Sequence, residues 1–133
     1  RRVCIILIIW NKVGGFSEEF SPGIGSDPDL NMKLWREGVR IFKALGKSKV
    51  YHFGSITVRK KNDLKLKDKL GSRANKIFLL KWGITIKFFK KYYLRSNTKY
   101  ESALKDPKKD MFYYYDLIKV KISYFYYYIV FKY

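Results

Sequence analysis

The stretch VGGFSEEFSPGIGSDPDLNMKLWREG, residues 13–38, carries the clearest structural signals in this chain of 133 residues. Its loop at residues 21–26 contains a proline and two glycines, which interrupt helices and strands alike. Asp27 stands where a helix N-cap belongs, and Pro28 suits the first helical position. Since Gly38 supplies a C-terminal stop, the sequence predicts a helix between Asp27 and Gly38.

Short apolar runs flank this predicted helix on both sides. Residues 3–10 form a continuous run dominated by isoleucine, which favours a buried β-strand. The run is too short to cross a bilayer as a helix. Residues 39–43 and 49–53 are shorter runs of similar type and predict two strands, or one strand and an extended segment.

The rest of the chain divides into segments of different character. Residues 57–69 are polar and cationic, which predicts a mobile, solvated segment. Residues 76–94 place apolar residues at helical spacing among lysines, which predicts one long or two short amphipathic helices. A polar connection over residues 96–110 then leads to residues 111–133, which hold eight of the twelve tyrosines.

Composition and charge exclude some classes of protein and leave others open. With 47% hydrophobic and 19% aromatic residues, the chain has enough apolar material to fold. The lone Cys4 excludes an intramolecular disulfide and a zinc site of several cysteines, and indicates a reducing compartment. The net charge of +18 favours polyanionic partners, which include nucleic acid, anionic lipid and phosphorylated small molecules.

The charge is distributed unevenly along the chain. Residues 1–40 hold six basic and five acidic side chains, so the other 93 residues carry seventeen of the eighteen net positive charges. In the final run, Asp116, Lys119 and Lys121 disfavour a membrane-spanning helix, since each charge near a bilayer centre costs about 2.5–3.5 kcal/mol. Tyrosine, phenylalanine and lysine together suit the headgroup interface instead. Packing against the protein itself is an equal alternative.

Three motifs occur in order: GGFSEEF at residues 14–20, GSDPDL at 25–30 and YHFGS at 51–55. This order resembles the acceptor-side, C-terminal half of the catalytic domain in inverting family 2 glycosyltransferases of the GT-A fold. In that family a Gly-Gly-Phe-(Asp/Ser)-Glu-x-Phe segment precedes a Glu-Asp-x-Asp-Leu helix start, and a Tyr-His-x-x-Ser type of segment follows. The resemblance is close over residues 13–55, whereas residues 56–133 match only in general character.

The resemblance implies an α/β fold, namely the C-terminal half of a Rossmann-like GT-A domain followed by an amphipathic, mainly helical tail rich in basic and aromatic residues. Residues 1–56 would form the acceptor-side part of the catalytic domain. Residues 57–75 would form a basic flexible segment, and residues 76–133 the amphipathic C-terminal region.

The resemblance also implies roles for individual residues in sugar transfer. Asp27 matches the family's catalytic base, with a helix cap as its alternative role. Ser26, which stands where the family commonly has glutamate, would bind the acceptor together with Asp29 and Trp35, although Asp29 also suits a helix start. His52 would contact the metal or the diphosphate, with a hydrogen-bonded strand-end histidine as the alternative. The expected diphosphate-binding residues are Ser55, Arg59, Lys60 and Lys61, for which a solvated basic loop is the alternative.

The expected partners follow from the same resemblance: a nucleotide-sugar donor, a glycan or lipid-linked acceptor, and Mn²⁺ or Mg²⁺ shared with an Asp-x-Asp motif that this sequence lacks. The isolated chain is therefore expected to be incomplete and inactive. We expect a cytoplasmic enzyme, with peripheral contact to the inner face of the membrane through its tail. The alternative function is non-catalytic binding of nucleic acid or of a membrane surface by the basic aromatic region. Nucleic-acid binding would not explain any of the three motifs.

Overall fold

A computed structural model describes residues 2–42 and 64–132 of the chain. Its helices are α1 (Arg2–Val13), α2 (Ser26–Arg36), α3 (Leu64–Trp82), the short α4 (Ile86–Phe88) and α5 (Met111–Lys132). A 3₁₀ turn, Glu18–Phe20, precedes α2, and a π-helical turn, Phe89–Tyr93, follows α4 directly. Within the two described ranges the backbone forms no strand.

The predicted α/β, Rossmann-like fold is therefore wrong for the part of the chain that the structure describes. The run at residues 3–10, predicted as a buried strand, lies within α1. A short apolar run does not distinguish a buried strand from a buried helix by its periodicity, and here the helix continues through Val13. Residues 39–42 are irregular, and the remainder of the predicted strands lies outside the described residues.

The helix predicted between Asp27 and Gly38 is confirmed as α2, although its cap differs from the prediction. Gly25 is the N-cap, with a φ of 93°, and Asp27 is the second residue of the helix. A Cβ atom at Gly25 would come within 2.8 Å of the Phe20 ring and 2.9 Å of the Ala74 Cβ atom. Glycine therefore allows the start of α2 to approach α3 closely.

The amphipathic pattern at residues 76–94 is confirmed as two helical segments, the end of α3 and the helix that begins at Ile86. They are separated at Gly83, whose φ of 68° breaks the helix. The Thr85 hydroxyl caps α4 by accepting a hydrogen bond of 3.1 Å from the Phe88 N–H. The predicted basic flexible segment, residues 57–75, is helical from Leu64 onward, and its first seven residues lie outside the described ranges.

The hydrophobic core of the described residues lies between α2, α3, α4 and α5. Phe78 and Phe89 are fully buried at its centre. The Trp35 indole packs edge-on against the rings of Phe89 and Tyr93, at centroid distances of 6.5 and 5.4 Å. Burial is also the main cause that raises the pKa of the Tyr93 phenol to about 12. The remaining buried apolar residues are Phe20, Met32, Ala74, Leu79, Ile84, Phe88, Tyr113 and Val120.

The predicted helical tail is confirmed as α5, which packs on α3 and α4. An irregular connection precedes it, as predicted, and Asp110 caps the helix by accepting a hydrogen bond of 2.9 Å from the Tyr113 N–H. Lys91 in the π-helical turn forms an ion pair of 2.7 Å with Asp116 of α5. Among the described helices, none has the length and apolar character needed to cross a membrane.

Candidate functional site

Asp29 is a charged side chain that is completely buried. Its Oδ2 atom accepts a hydrogen bond of 2.6 Å from the Ser17 hydroxyl, and its Oδ1 atom accepts one of 2.8 Å from the Trp82 indole N–H. The ammonium groups of Lys81 and Lys33 lie 3.0 and 3.8 Å from the same carboxylate. A buried charge needs both hydrogen bonds and an opposite charge to be stable, and the Asp29 carboxylate has both.

Lys81, at the end of α3, is the cation that joins this carboxylate to the loop before α2. Its Nζ atom donates hydrogen bonds to the Ser17 hydroxyl at 3.0 Å and to the Glu19 carboxylate at 2.6 Å. Partial burial by itself would lower the pKa of Lys81, but the hydrogen bonds to Glu19 and Asp29 outweigh it, so that the pKa is raised. Lys81 therefore stays protonated and holds two carboxylates together.

Two further cations fix the backbone of the same loop. Arg73 of α3 donates hydrogen bonds to the carbonyl oxygens of Ser21, at 3.0 Å, and Glu19, at 3.4 Å. Lys33 of α2 donates one of 2.9 Å to the Gly15 carbonyl oxygen. We call residues 14–25 the motif loop. Side chains from α2 and α3 hold this loop in one position at several points along its length.

A surface groove of about 650 Å³ lies along the motif loop. Phe16, which is 53% exposed, provides an aromatic side to it. Hydroxyl and carboxylate groups also line it, from Ser17, Glu18 and Ser26. The Ser26 hydroxyl itself donates a hydrogen bond of 2.7 Å to the Gly23 carbonyl oxygen. The groove therefore offers an apolar surface beside hydrogen-bonding groups, a combination that suits a polyhydroxylated ligand.

The two carboxylates in the first turns of α2 have opposite environments. Asp27 is exposed and follows Ser26, which lines the groove. Asp29, only two residues later, faces the interior and is held by Ser17, Lys81 and Trp82. Of these two groups, Asp27 is the one that a ligand can reach.

Two residues that the resemblance assigns to acceptor binding have structural contacts instead. Trp35 is 5% exposed and lies in the core, with the Arg40 guanidinium 4.0 Å from its ring centroid. Asp29 has no exposed surface. A bound acceptor in the groove would not contact either side chain as they stand here, whereas Ser26 lies at the groove.

The residues expected to bind metal and diphosphate cannot be placed. His52, Ser55, Arg59, Lys60 and Lys61 all lie outside the described residues. Across residues 2–42 and 64–132, no group of three or more histidine, cysteine, aspartate or glutamate side chains is arranged to hold a metal ion. The divalent metal therefore stays a prediction.

The sequence did not predict the cations and the indole that contact the buried Asp29 carboxylate. Lys81 and Trp82 lie more than fifty residues after it, in a segment predicted as an ordinary amphipathic helix, and no local pattern links them to the motif loop. Ser17 lies within the quoted GGFSEEF motif, but its hydrogen bond to Asp29 depends on how the loop folds over α2. The exposure of Asp27, directly after the groove residue Ser26, could not be predicted from spacing either.

No protein-family model, curated protein or solved structure matches this chain.

Proposed function

We propose that this chain supplies the acceptor side of an inverting glycosyltransferase, with Asp27 as the catalytic base and the groove along the motif loop as the acceptor site. In this role the Asp27 carboxylate takes a proton from an acceptor hydroxyl. The hydroxyl oxygen forms a bond to the anomeric carbon of a nucleotide sugar. The bond from that carbon to the diphosphate breaks, and the nucleoside diphosphate leaves with the electron pair.

The observation that carries this proposal is the position of Asp27. Its carboxylate is exposed, follows the groove residue Ser26, and stands at the start of a helix whose neighbouring loop is fixed by Lys33, Lys81 and Arg73. A general base must be held in place while remaining accessible to the hydroxyl that it deprotonates. The order of the motifs at residues 14–20, 25–30 and 51–55 supports the same reaction class.

The buried carboxylate of Asp29 has a supporting role in this proposal. It orients Ser17, one of the residues that line the groove, and it anchors α2 to the end of α3. The nucleotide-sugar donor, the divalent metal and the choice between a glycan and a lipid-linked acceptor are predictions that belong to the same proposal. So is the cytoplasmic location.

The test is sugar transfer by the full gene product, measured with radiolabelled nucleotide sugars and a panel of glycan and lipid-linked acceptors. Asp27→Asn keeps the size of the side chain and removes the base, so we expect the rate of transfer to fall about 10²- to 10⁴-fold. Since Asp27 is exposed, the thermal midpoint should stay close to that of the wild type.

Asp68→Asn is the matched control, because it makes the same change at another exposed aspartate near the start of a described helix, α3. It should retain the wild-type rate. Equal rates for Asp27→Asn and the wild type would remove Asp27 as the base. Absence of transfer from every nucleotide sugar by a folded wild-type product would overturn the proposed function itself.

A further inference from the structure

Helix α5 exposes apolar side chains from Met111 to Val130, although it is packed on the protein along one face. The inward face is formed by residues such as Tyr113 and Val120, which are buried. On the opposite side, Ile118 and Ile122 are 61% and 66% exposed. The same outward stripe includes Met111, Tyr114, Tyr115, Phe125, Tyr126 and Ile129, all of which are exposed.

Lysines border this outward stripe on both sides. At roughly 100° per residue, Lys119 and Lys121 lie about 80° to either side of the line through Ile118 and Ile122. Both are exposed, and the Lys119 ammonium lies 4.0 Å from the centroid of the Tyr115 ring. A long lysine side chain such as that of Lys119 can keep its stem on an apolar surface while its charge reaches outward. The Lys121 ammonium donates a hydrogen bond of 3.3 Å to the Gly83 carbonyl oxygen, and the residue is exposed.

Acidic groups are few around this helix, and most of them are engaged within the protein. Residues 84–132 contain eleven basic and four acidic side chains. Asp116, the acidic residue in the sequence of α5, is paired with Lys91, and the hydrogen bonds from Lys91 and Tyr92 lower its pKa. Asp106 is paired with Arg40, and Asp110 caps α5. The outward face of α5 therefore combines an apolar stripe with positive charge.

We propose that α5 docks along its outward stripe on the surface of an anionic lipid bilayer. The apolar side chains would enter the boundary between headgroups and acyl chains, with Lys119 and Lys121 at the level of the lipid phosphates. The stripe runs from Met111 to Ile129, so it is about 27 Å long and would lie parallel to the surface. Tyrosine suits this depth because it combines an apolar ring with a polar hydroxyl. Phenylalanine suits the apolar face of a helix that lies in the interface.

Charge argues for lipid over a second copy of the chain. Two α5 helices facing each other would bring together the lysines that border each stripe, and neither stripe contains a carboxylate to pair with them. Lysine is also depleted at interfaces between proteins, where charged groups lose water. A bilayer that carries negative headgroups satisfies the stripe and its borders together. This inference does not depend on the proposed sugar transfer.

The experiment is co-sedimentation of the 133-residue chain with vesicles of phosphatidylcholine alone or with about 30 mol % phosphatidylglycerol. The wild type should bind the anionic vesicles, and binding should weaken when NaCl is raised from about 0.1 M to about 1 M. Ile122→Glu places a charge in the middle of the stripe and should reduce partitioning at least about tenfold.

Ile41→Glu is the matched control, because Ile41 is 65% exposed, nearly the same fraction as Ile122, and lies outside α5. It should bind vesicles as the wild type does. Both variants change exposed side chains, so their circular dichroism spectra and thermal midpoints should match the wild type. Equal vesicle binding by Ile122→Glu and the wild type, or no binding of the wild type to anionic vesicles, would overturn the proposal.

Two further measurements test the electrostatic part and the competing occupant. Lys119→Gln should weaken binding to anionic vesicles about fivefold, whereas Lys99→Gln, a change at an exposed lysine of the preceding connection, should have a smaller effect. Sedimentation velocity without lipid gives the oligomeric state. A wild-type dimer that becomes a monomer in Ile122→Glu would assign the stripe to a second copy and contradict lipid docking.

Discussion

Folded proteins usually bury apolar groups and expose charged ones, and two regions of this molecule depart from that rule in different ways. These regions are the motif loop with α2, and the outward face of α5. The first region buries a charge, since Asp29 has no exposed surface and is held by Ser17, Trp82 and Lys81. The second exposes large apolar side chains, including Ile118 and Ile122. Buried charges and exposed apolar patches are the informative exceptions in a folded protein.

This difference shows how each region is held and what each leaves available. The buried carboxylate is surrounded by donors, so it fixes the motif loop and leaves Asp27 as the accessible acid on α2. Helix α5 is held through its inward face, and its outward face adds nothing to the core. The first region should therefore be sensitive to loss of one polar group, whereas the second should tolerate changes on its outer side.

The largest expected effect comes from Asp29→Ala. This change leaves the Lys81 ammonium, the Trp82 indole N–H and the Ser17 hydroxyl without their shared acceptor, so the free energy of unfolding should fall by about 3–5 kcal/mol. Urea denaturation measures the difference. Trp82→Phe, which removes one hydrogen bond to a charged group, should cost about 1.5–3 kcal/mol.

Asp27→Ala is the control for the buried carboxylate, since it removes the same group two residues earlier at an exposed position. It should cost less than about 1 kcal/mol, which is the size of a helix N-terminal charge effect. If Asp27→Ala and Asp29→Ala were equally destabilising, the contrast between the accessible and the buried carboxylate would be lost.

A smaller effect is expected for the inward face of α5. Tyr113 is 6% exposed and contacts the Phe88 ring at a centroid distance of 5.1 Å, so Tyr113→Ala should cost about 3 kcal/mol. Tyr115 is 60% exposed, so Tyr115→Ala should change the free energy of unfolding by less than about 0.5 kcal/mol. Chemical denaturation of the pair compares the two faces, and a large cost for Tyr115→Ala would show that the outward face is covered within the folded chain.

The smallest predicted effect concerns alkaline pH. Burial is the main reason that the pKa of Tyr93 is raised from its ordinary 10.0 to about 12, so the fold favours the neutral phenol. This contribution is complete below pH 10.0 and is lost as the pH rises toward 12. The wild type should therefore lose more stability than Tyr93→Phe between pH 9 and pH 11, by at most about 1 kcal/mol after solvent screening.

Urea midpoints at the two pH values give this difference. Tyr115→Phe is the control, because it makes the same change at a tyrosine that is 60% exposed. It should follow the wild type. A Tyr93→Phe variant with the wild-type dependence on pH would mean that this phenol ionises as easily in the fold as in the unfolded chain.

Local signals predicted some elements well and others poorly. The Pro–Gly loop, Pro28 and Gly38 predicted α2 correctly, since turn and capping preferences act over a few residues. The apolar run at residues 3–10 was predicted as a strand but lies in α1, because periodicity alone does not separate a buried strand from a helix in so short a run. Asp27 is predicted as the N-cap, but the N-cap is Gly25. Phe20 and Ala74 approach Gly25 so closely that a Cβ atom at this position would clash with them.

The sequence by itself determined the charge distribution, the position of α2 and the residues of the motif loop. These features depend on composition and on interactions between near neighbours. Tertiary structure decided which of two nearby aspartates is buried, because Lys81 and Trp82 reach Asp29 from a helix more than fifty residues away. It also decided which side of α5 faces outward. A helix that is apolar on most sides does not specify its buried face until α3 and α4 pack against it.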